Sequence, residues 1–225
     1  MDGFIELEAS DGHRLSAYEQ RPDRAAATVV IVQEIFGVNA HIRSVVDRYA
    51  DAGYHAIAPA TFDRVERGVE LDYDGPGVER GKELAMGIGM EKAMLDVAAA
   101  VARGSNTGPV SVVGYCFGGS VAWLAAAQLP VAAAVGYYGG AVLGALDSQP
   151  LVPTMLHFGE LDAGIPLDGV AKIQPAHPDV AVHVYEGADH GFNCDVRASF
   201  DPGAADLARE RTLAFLAEHL LVSTA

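Results

Sequence analysis

The sequence predicts an α/β fold: a mostly parallel sheet with helices on both faces, entered through an N-terminal antiparallel hairpin. Three observations carry that prediction. Apolar runs such as ATVVIVQ (27–33) and PVSVVGY (109–115) are continuous, as in strands buried on both faces. Segments with helical spacing separate these runs, an order that yields parallel strands joined by crossover helices. The opening segments 4–9 and 13–20 alternate instead, around Asp11-Gly12, which is a two-residue hairpin signal.

The remaining elements follow in order. Asn39 caps a helix near 40–51, which Gly53 ends, and YHAIAPA (54–60) is the next strand. Residues 61–78, rich in Gly, Asp and Arg, read as a surface loop. A helical pattern runs from about Val78 to Arg103, with Gly87 and Gly89 placing a kink or break in its middle. After the strand 109–115, FGGSVAWLAAAQ forms a helix. VAAAVGYYGG (131–140), PTMLHFGELD (153–162) and VAVHVYEG (180–187) are further strands, the last two separated by a short helix near 167–175. Asp201 caps and Pro202 opens a final helix to about Leu220. There is no repeat or linker, so residues 1–225 are expected to form one domain.

Composition narrows the function. The chain of 225 residues is half hydrophobic and carries a formal net charge of −15. That charge argues against nucleic acid, which needs a basic stripe, and against an anionic membrane surface. An anionic substrate would need a local cation to hold it against the overall field. The N-terminus lacks the basic and apolar segments of a signal peptide, and no apolar run reaches a membrane span. With only two cysteines, Cys116 and Cys194, a disulfide framework is not expected. The expectation is a cytoplasmic protein, a monomer or weak homodimer, acting on a small molecule.

The chemistry concentrates where a buried strand runs into a helix. Gly114-Tyr115-Cys116-Phe117-Gly118 has the form G-x-nucleophile-x-G, a nucleophile elbow in this setting. Cys116 then stands clear of the sheet at a helix N-terminus, where the dipole favours a thiolate. The Phe117 N–H is one oxyanion donor and the Ile35 N–H a second. The competing reading is a packing cysteine beside glycines. Sites in such sheets gather beyond the carboxyl ends of strands. Asp162 and His190 both fall just after strands, in the order nucleophile, acid, histidine. His190 serves as the base and Asp162 orients it. Glu160, Asp168, Asp189 and Asp195 are the competing acids. His157 reads as core, whereas His13, His41, His55, His177, His183 and His219 read as alternating or exposed. No histidine pair has the spacing of a helical zinc site, so no metal is expected. Glu34 ends the strand that precedes the Ile35 loop and would share the sheet edge with Cys116.

Together QEIFGVN, GYCFGG, AVGYYGG, GELDAGIP and DHGF resemble the dienelactone hydrolase family, over nearly the whole chain to the ERTLAFL helix. The resemblance implies an α/β-hydrolase fold, a Cys116-His190-Asp162 triad and no cofactor. It implies that Glu34 pairs with the thiol at rest and swings away when substrate binds. It also implies an acyl-enzyme formed as a lactone ring opens. The family holds its substrate carboxylate with arginines, one just after the catalytic histidine. Here HGFNCDVR offers Asn193 and Cys194 first, and the first arginine is Arg197. Arg80 and Arg197 are therefore the candidate carboxylate binders, with Cys194 a candidate pocket residue. A missing charge-assisted contact would cost about 1.5–3 kcal/mol. The alternatives are a silent binding member of the fold, a thioester or other hydrolase, and a thiol redox protein using Cys116 and Cys194.

Overall fold

The computed structural model describes residues 3–220. One eight-stranded sheet, ordered β1-β2-β4-β3-β5-β6-β7-β8, organises the chain. β1 (Phe4–Glu8) and β2 (Arg14–Gln20) pair antiparallel, and β2 joins β4 (His55–Pro59) antiparallel. From β4 onward every pairing is parallel, through β3 (Thr28–Val32), β5 (Val110–Tyr115), β6 (Ala133–Tyr137), β7 (Thr154–Gly159) and β8 (Ala181–Tyr185). This is the expected architecture.

Side-chain alternation along the central strands divides the interior in two. Val29 and Ile31 of β3 face one core, with α1 (Ala40–Asp51) and α6 (Pro202–Leu220). Val30 and Val32 face the other, with α2 (Gly75–Gly104) and α3 (Phe117–Gln128). Burying such a residue contributes about 1.5–3 kcal/mol, so strands apolar on both faces belong in the middle of the sheet. No described helix is long and apolar enough to cross a membrane.

Several boundaries differ from expectation for local reasons. The hairpin closes through Ser10-Asp11-Gly12 rather than two residues: Gly12, at φ 82°, donates its N–H to the Ala9 carbonyl, and Ala9 donates to His13. The 61–78 stretch is only partly loop. Thr61–Arg64 forms a 3-10 turn, and Asp63 is buried, accepting the Ser16 and Gly68 N–H groups. Helix α2 starts before Val78, because Asp74 caps it through the Gly77 N–H at 2.7 Å. Its break falls at Gly89 alone (φ 68°, ψ 163°). The segment near 167–175 splits into two single turns, α4 (Leu167–Val170) and α5 (Ile173–Ala176). Among the histidines expected on alternating or exposed positions, His41, His55 and His177 are buried. Each has a polar partner: Asp195, Glu19 and the Leu146 carbonyl respectively.

Candidate active site

The carboxyl ends of five neighbouring strands deliver the site. Glu34 follows β3, Cys116 follows β5, Tyr138 follows β6, Asp162 follows β7 and His190 follows β8. Their convergence is a consequence of parallel pairing, which brings the ends of these strands to one edge.

At the centre, Cys116 adopts φ 54° and ψ −111°, a conformation costing a non-glycine residue about 1–3 kcal/mol. Its surroundings hold it there. The Cys116 N–H donates to the Tyr137 carbonyl at 2.9 Å, and the Gly118 N–H to the Gln33 carbonyl at 3.1 Å. Side chains at the flanking glycines would not fit. A Cβ on Gly114 would run into the Gly118 carbonyl, and one on Gly118 into the Val32 and Gln33 carbonyls. Helix α3 is buried around much of its circumference, as an apolar helix wedged between sheet and neighbours must be. The elbow is thus clamped from below while its thiol remains half-exposed.

His190 Nε2 stands 3.1 Å from Cys116 Sγ, and His190 Nδ1 stands 2.7 Å from Asp162 Oδ2. The other Asp162 oxygen accepts the Gly164 N–H at 2.9 Å, and the carboxylate is buried. Burial opposes a charge on the His190 ring. Hydrogen bonds to Asp162 and Cys116 outweigh it and bring the pKa up to about 10. Three of the four competing acids are engaged elsewhere, and the fourth, Asp168, is exposed on α4. Glu160 accepts the Gly187 N–H, Asp189 accepts the N–H of His190 itself, and Asp195 bonds to His41. Among the described residues, the Ile35 and Phe117 N–H groups have no hydrogen-bond acceptor, which leaves both available to an oxyanion.

Glu34 is buried beside this relay. Its Oε2 accepts the Tyr73 hydroxyl at 3.0 Å, and its Oε1 lies 3.5 Å from Arg197 Nη1. The contact with the thiol expected at rest is not the one adopted: Cys116 Sγ turns to His190. Burial and the Glu34 charge push the Tyr73 pKa far upward, so the phenol remains a donor.

The candidate cations differ sharply. Arg197 folds back past Gly191, where any side chain would collide with the guanidinium. Its guanidinium carbon lies 5.8 Å from the ring centres of both Phe36 and Tyr73. Cys194, three residues earlier in the loop, is buried. Arg80 is exposed and its guanidinium is committed to Glu66 and Glu83. The neighbouring Gly81 packs on the Ile35 carbonyl, so this turn of α2 borders the site while the Arg80 side chain turns away.

Tyr138 is a site residue that the motif alone did not reveal. It takes φ 38°, its ring lies 5.1 Å from that of His190, and its buried hydroxyl has no partner among the described residues. The only sequence trace is a Tyr-Tyr-Gly-Gly run leaving β6.

The profile of the Dienelactone hydrolase family matches residues 15–220. A carboxymethylenebutenolidase from Pseudomonas putida is 37% identical over 227 residues, covering 95% of each chain. A solved structure from Klebsiella pneumoniae, described as a candidate dienelactone hydrolase, is 33% identical with a TM-score of 0.82. It covers 96% of this chain and 98% of its own. An alpha-beta serine hydrolase homologue from Coxiella burnetii shares the fold at a TM-score of 0.68 and 16% identity, covering 95% of this chain and 97% of its own.

Proposed function

Because the chain belongs to the dienelactone hydrolase family and is a hydrolase of carboxylic ester bonds, we propose that it opens a lactone or cleaves a small activated ester through an acyl-enzyme on Cys116. The observation that carries this reading is the continuous relay from Cys116 Sγ to His190 (3.1 Å) to Asp162 (2.7 Å).

In the first half-reaction His190 holds the thiol proton as an imidazolium, steadied by Asp162. The thiolate attacks the carbonyl carbon, and the carbonyl electron pair moves onto oxygen. The Ile35 and Phe117 N–H groups receive that oxyanion. Collapse breaks the ester C–O bond and leaves a thioester on Cys116, with the leaving oxygen still tethered when the substrate is a lactone. Water then attacks the thioester, its proton passing to the released oxygen while His190 keeps the proton it took from the thiol. The C–S bond breaks and the thiolate returns to its imidazolium partner.

Arg197 fits the role of carboxylate binder. A substrate carboxylate arriving at the guanidinium would compete with Glu34 for it, which couples substrate binding to the position of Glu34. The site therefore suits a lactone bearing a carboxylate near the scissile bond, despite the acidity of the chain.

The test is a hydrolysis screen of lactones and aryl esters with and without a carboxylate. Turnover of at least one class is expected, Cys116→Ala should abolish it, and Asp162→Asn should lower it by about 10³–10⁴. A correctly folded Cys116→Ala protein with normal turnover would remove the covalent mechanism. A wild type inert towards every class would favour a silent binding member of the fold.

A further inference from the structure

Glu34, His41 and Cys194 come from the end of β3, the first turn of α1 and the loop after His190. The fold brings one ligand-type atom from each within 4.8 Å of the other two, and all three residues are buried. Carboxylate oxygen, imidazole nitrogen and cysteine sulfur together form a donor set for a zinc-class cation. Ligand atoms on a tetrahedral zinc stand about 3.5 Å apart, given metal–ligand bonds of about 2.0–2.3 Å. A modest inward shift of side chains closes the difference.

A second observation points the same way. His41 is buried, with its Nδ1 bonded to Asp195 Oδ1 at 2.9 Å, while its Nε2 is buried without any partner. An imidazole backed by a carboxylate on one nitrogen and bare on the other is the form that metal-binding histidines take. Left so in a closed interior, the bare nitrogen is an unmet need. A surface cleft of about 340 Å³, lined by His41, Tyr73, Glu70 and Asp72 among others, borders His41 with an acidic wall. The opposing charge is Arg197, whose carboxylate partner among the described residues is Glu34, 3.5 Å from Oε1, while its guanidinium also lies over the Phe36 and Tyr73 rings. Its side chain keeps partial solvent exposure, and a cation bound to Glu34 would displace it from Oε1.

We propose that Glu34, His41 and Cys194 form a binding site for a divalent cation of the zinc class, separate from the Cys116 nucleophile. On binding, the S–H bond of Cys194 breaks, its proton goes to solvent, and the sulfur electron pair is donated to the cation. Occupation holds Glu34 in place and thereby slows turnover, a consequence that rests on the role given to Glu34 above. The binding itself does not rest on it.

Reduced, metal-free full-length protein titrated with Co²⁺ tests the site. One equivalent should bind with a thiolate-to-cobalt charge-transfer band, and Zn²⁺ should displace it. Cys116→Ser should retain the band and Cys194→Ser should lose it. Asp195→Asn, a change at an exposed residue that leaves the core intact, should weaken binding about 10–100-fold by removing the support behind His41. No band in the wild type overturns the proposal. So does a band that survives Cys194→Ser and vanishes in Cys116→Ser, which would place the cation on the nucleophile. Because cobalt binding needs no turnover, a protein that binds cobalt and hydrolyses nothing refutes only the hydrolytic mechanism. Stoichiometric Zn²⁺ that binds without slowing ester turnover refutes only the hold on Glu34.

Discussion

Cys116 stands half-exposed on a strained turn, 3.1 Å from an imidazole, at the start of a helix. Cys194 is buried near Glu34, Tyr73 and His41, and unlike Cys116 it makes no hydrogen bond to an imidazole among the described residues. Burial first, and then the Glu34 charge, push its thiol pKa up to about 12. The contrast teaches that the surroundings, and not the residue type, decide which thiol is placed to act as the proposed nucleophile. A helix N-terminus and a cation raise the thiolate population, whereas an apolar interior with a carboxylate suppresses it.

The largest effect that would sharpen this contrast is in alkylation. At neutral pH only about one Cys194 thiol in 10⁵ is ionised, given a pKa of about 12. Iodoacetamide should therefore label Cys116 at least about 100-fold faster than Cys194 in the folded protein. Peptide mapping by mass spectrometry reads the ratio. Equal labelling in folded protein would break the comparison, and denaturant should bring the two rates together.

The two regions also differ in how much of them the sequence discloses. The elbow is written locally: glycines flank Cys116 because side chains there would strike neighbouring carbonyls, and that spacing is visible in one short string. Asp162 and His190 were legible through a positional rule, each lying just beyond a strand that its apolar run identifies. The sheet itself was legible for the same reason, since strands buried on both faces leave unbroken apolar runs. What stayed hidden depends on chains meeting from afar. Arg197 was already a candidate cation, but its route was not legible: seven residues after His190, it folds back past Gly191 to Glu34. His41 looked like a helix-surface residue, but α1 and the Cys194 loop close over it, with Asp195 as its partner. The early start of α2 was missed because the Asp74 cap lies inside a stretch whose composition reads as loop.

A second, smaller effect tests which arginine serves the site. Arg197→Ala should raise the KM for a carboxylated lactone about tenfold or more, the size of one lost charge-assisted contact, with much less change for a neutral aryl ester. Arg80→Ala should change both substrates little, since its guanidinium is bound at the surface by Glu66 and Glu83. The reverse ranking would move the carboxylate site from the Cys194 side of the elbow to the α2 side.

The smallest effect is in the pH dependence of stability, and it returns to the relay at Cys116. His190 is raised from an ordinary 6.5 to about 10, because Asp162 and Cys116 favour its charged form more than burial disfavours it. A group whose pKa rises on folding stabilises the native state while it is protonated. That contribution is complete below about pH 6.5 and is lost as the pH climbs through about 10. His190→Asn cannot titrate, so the difference in melting temperature between wild type and variant should be largest near pH 6 and shrink steadily towards pH 10, by a few degrees in all. Cys116→Ser weakens one of the two partners and should narrow the window from its alkaline end. A difference that stays flat across the window would mean that His190 is neutral in the folded protein. The thiol would then rest as S–H, and the separation between the two cysteines would lie in access alone.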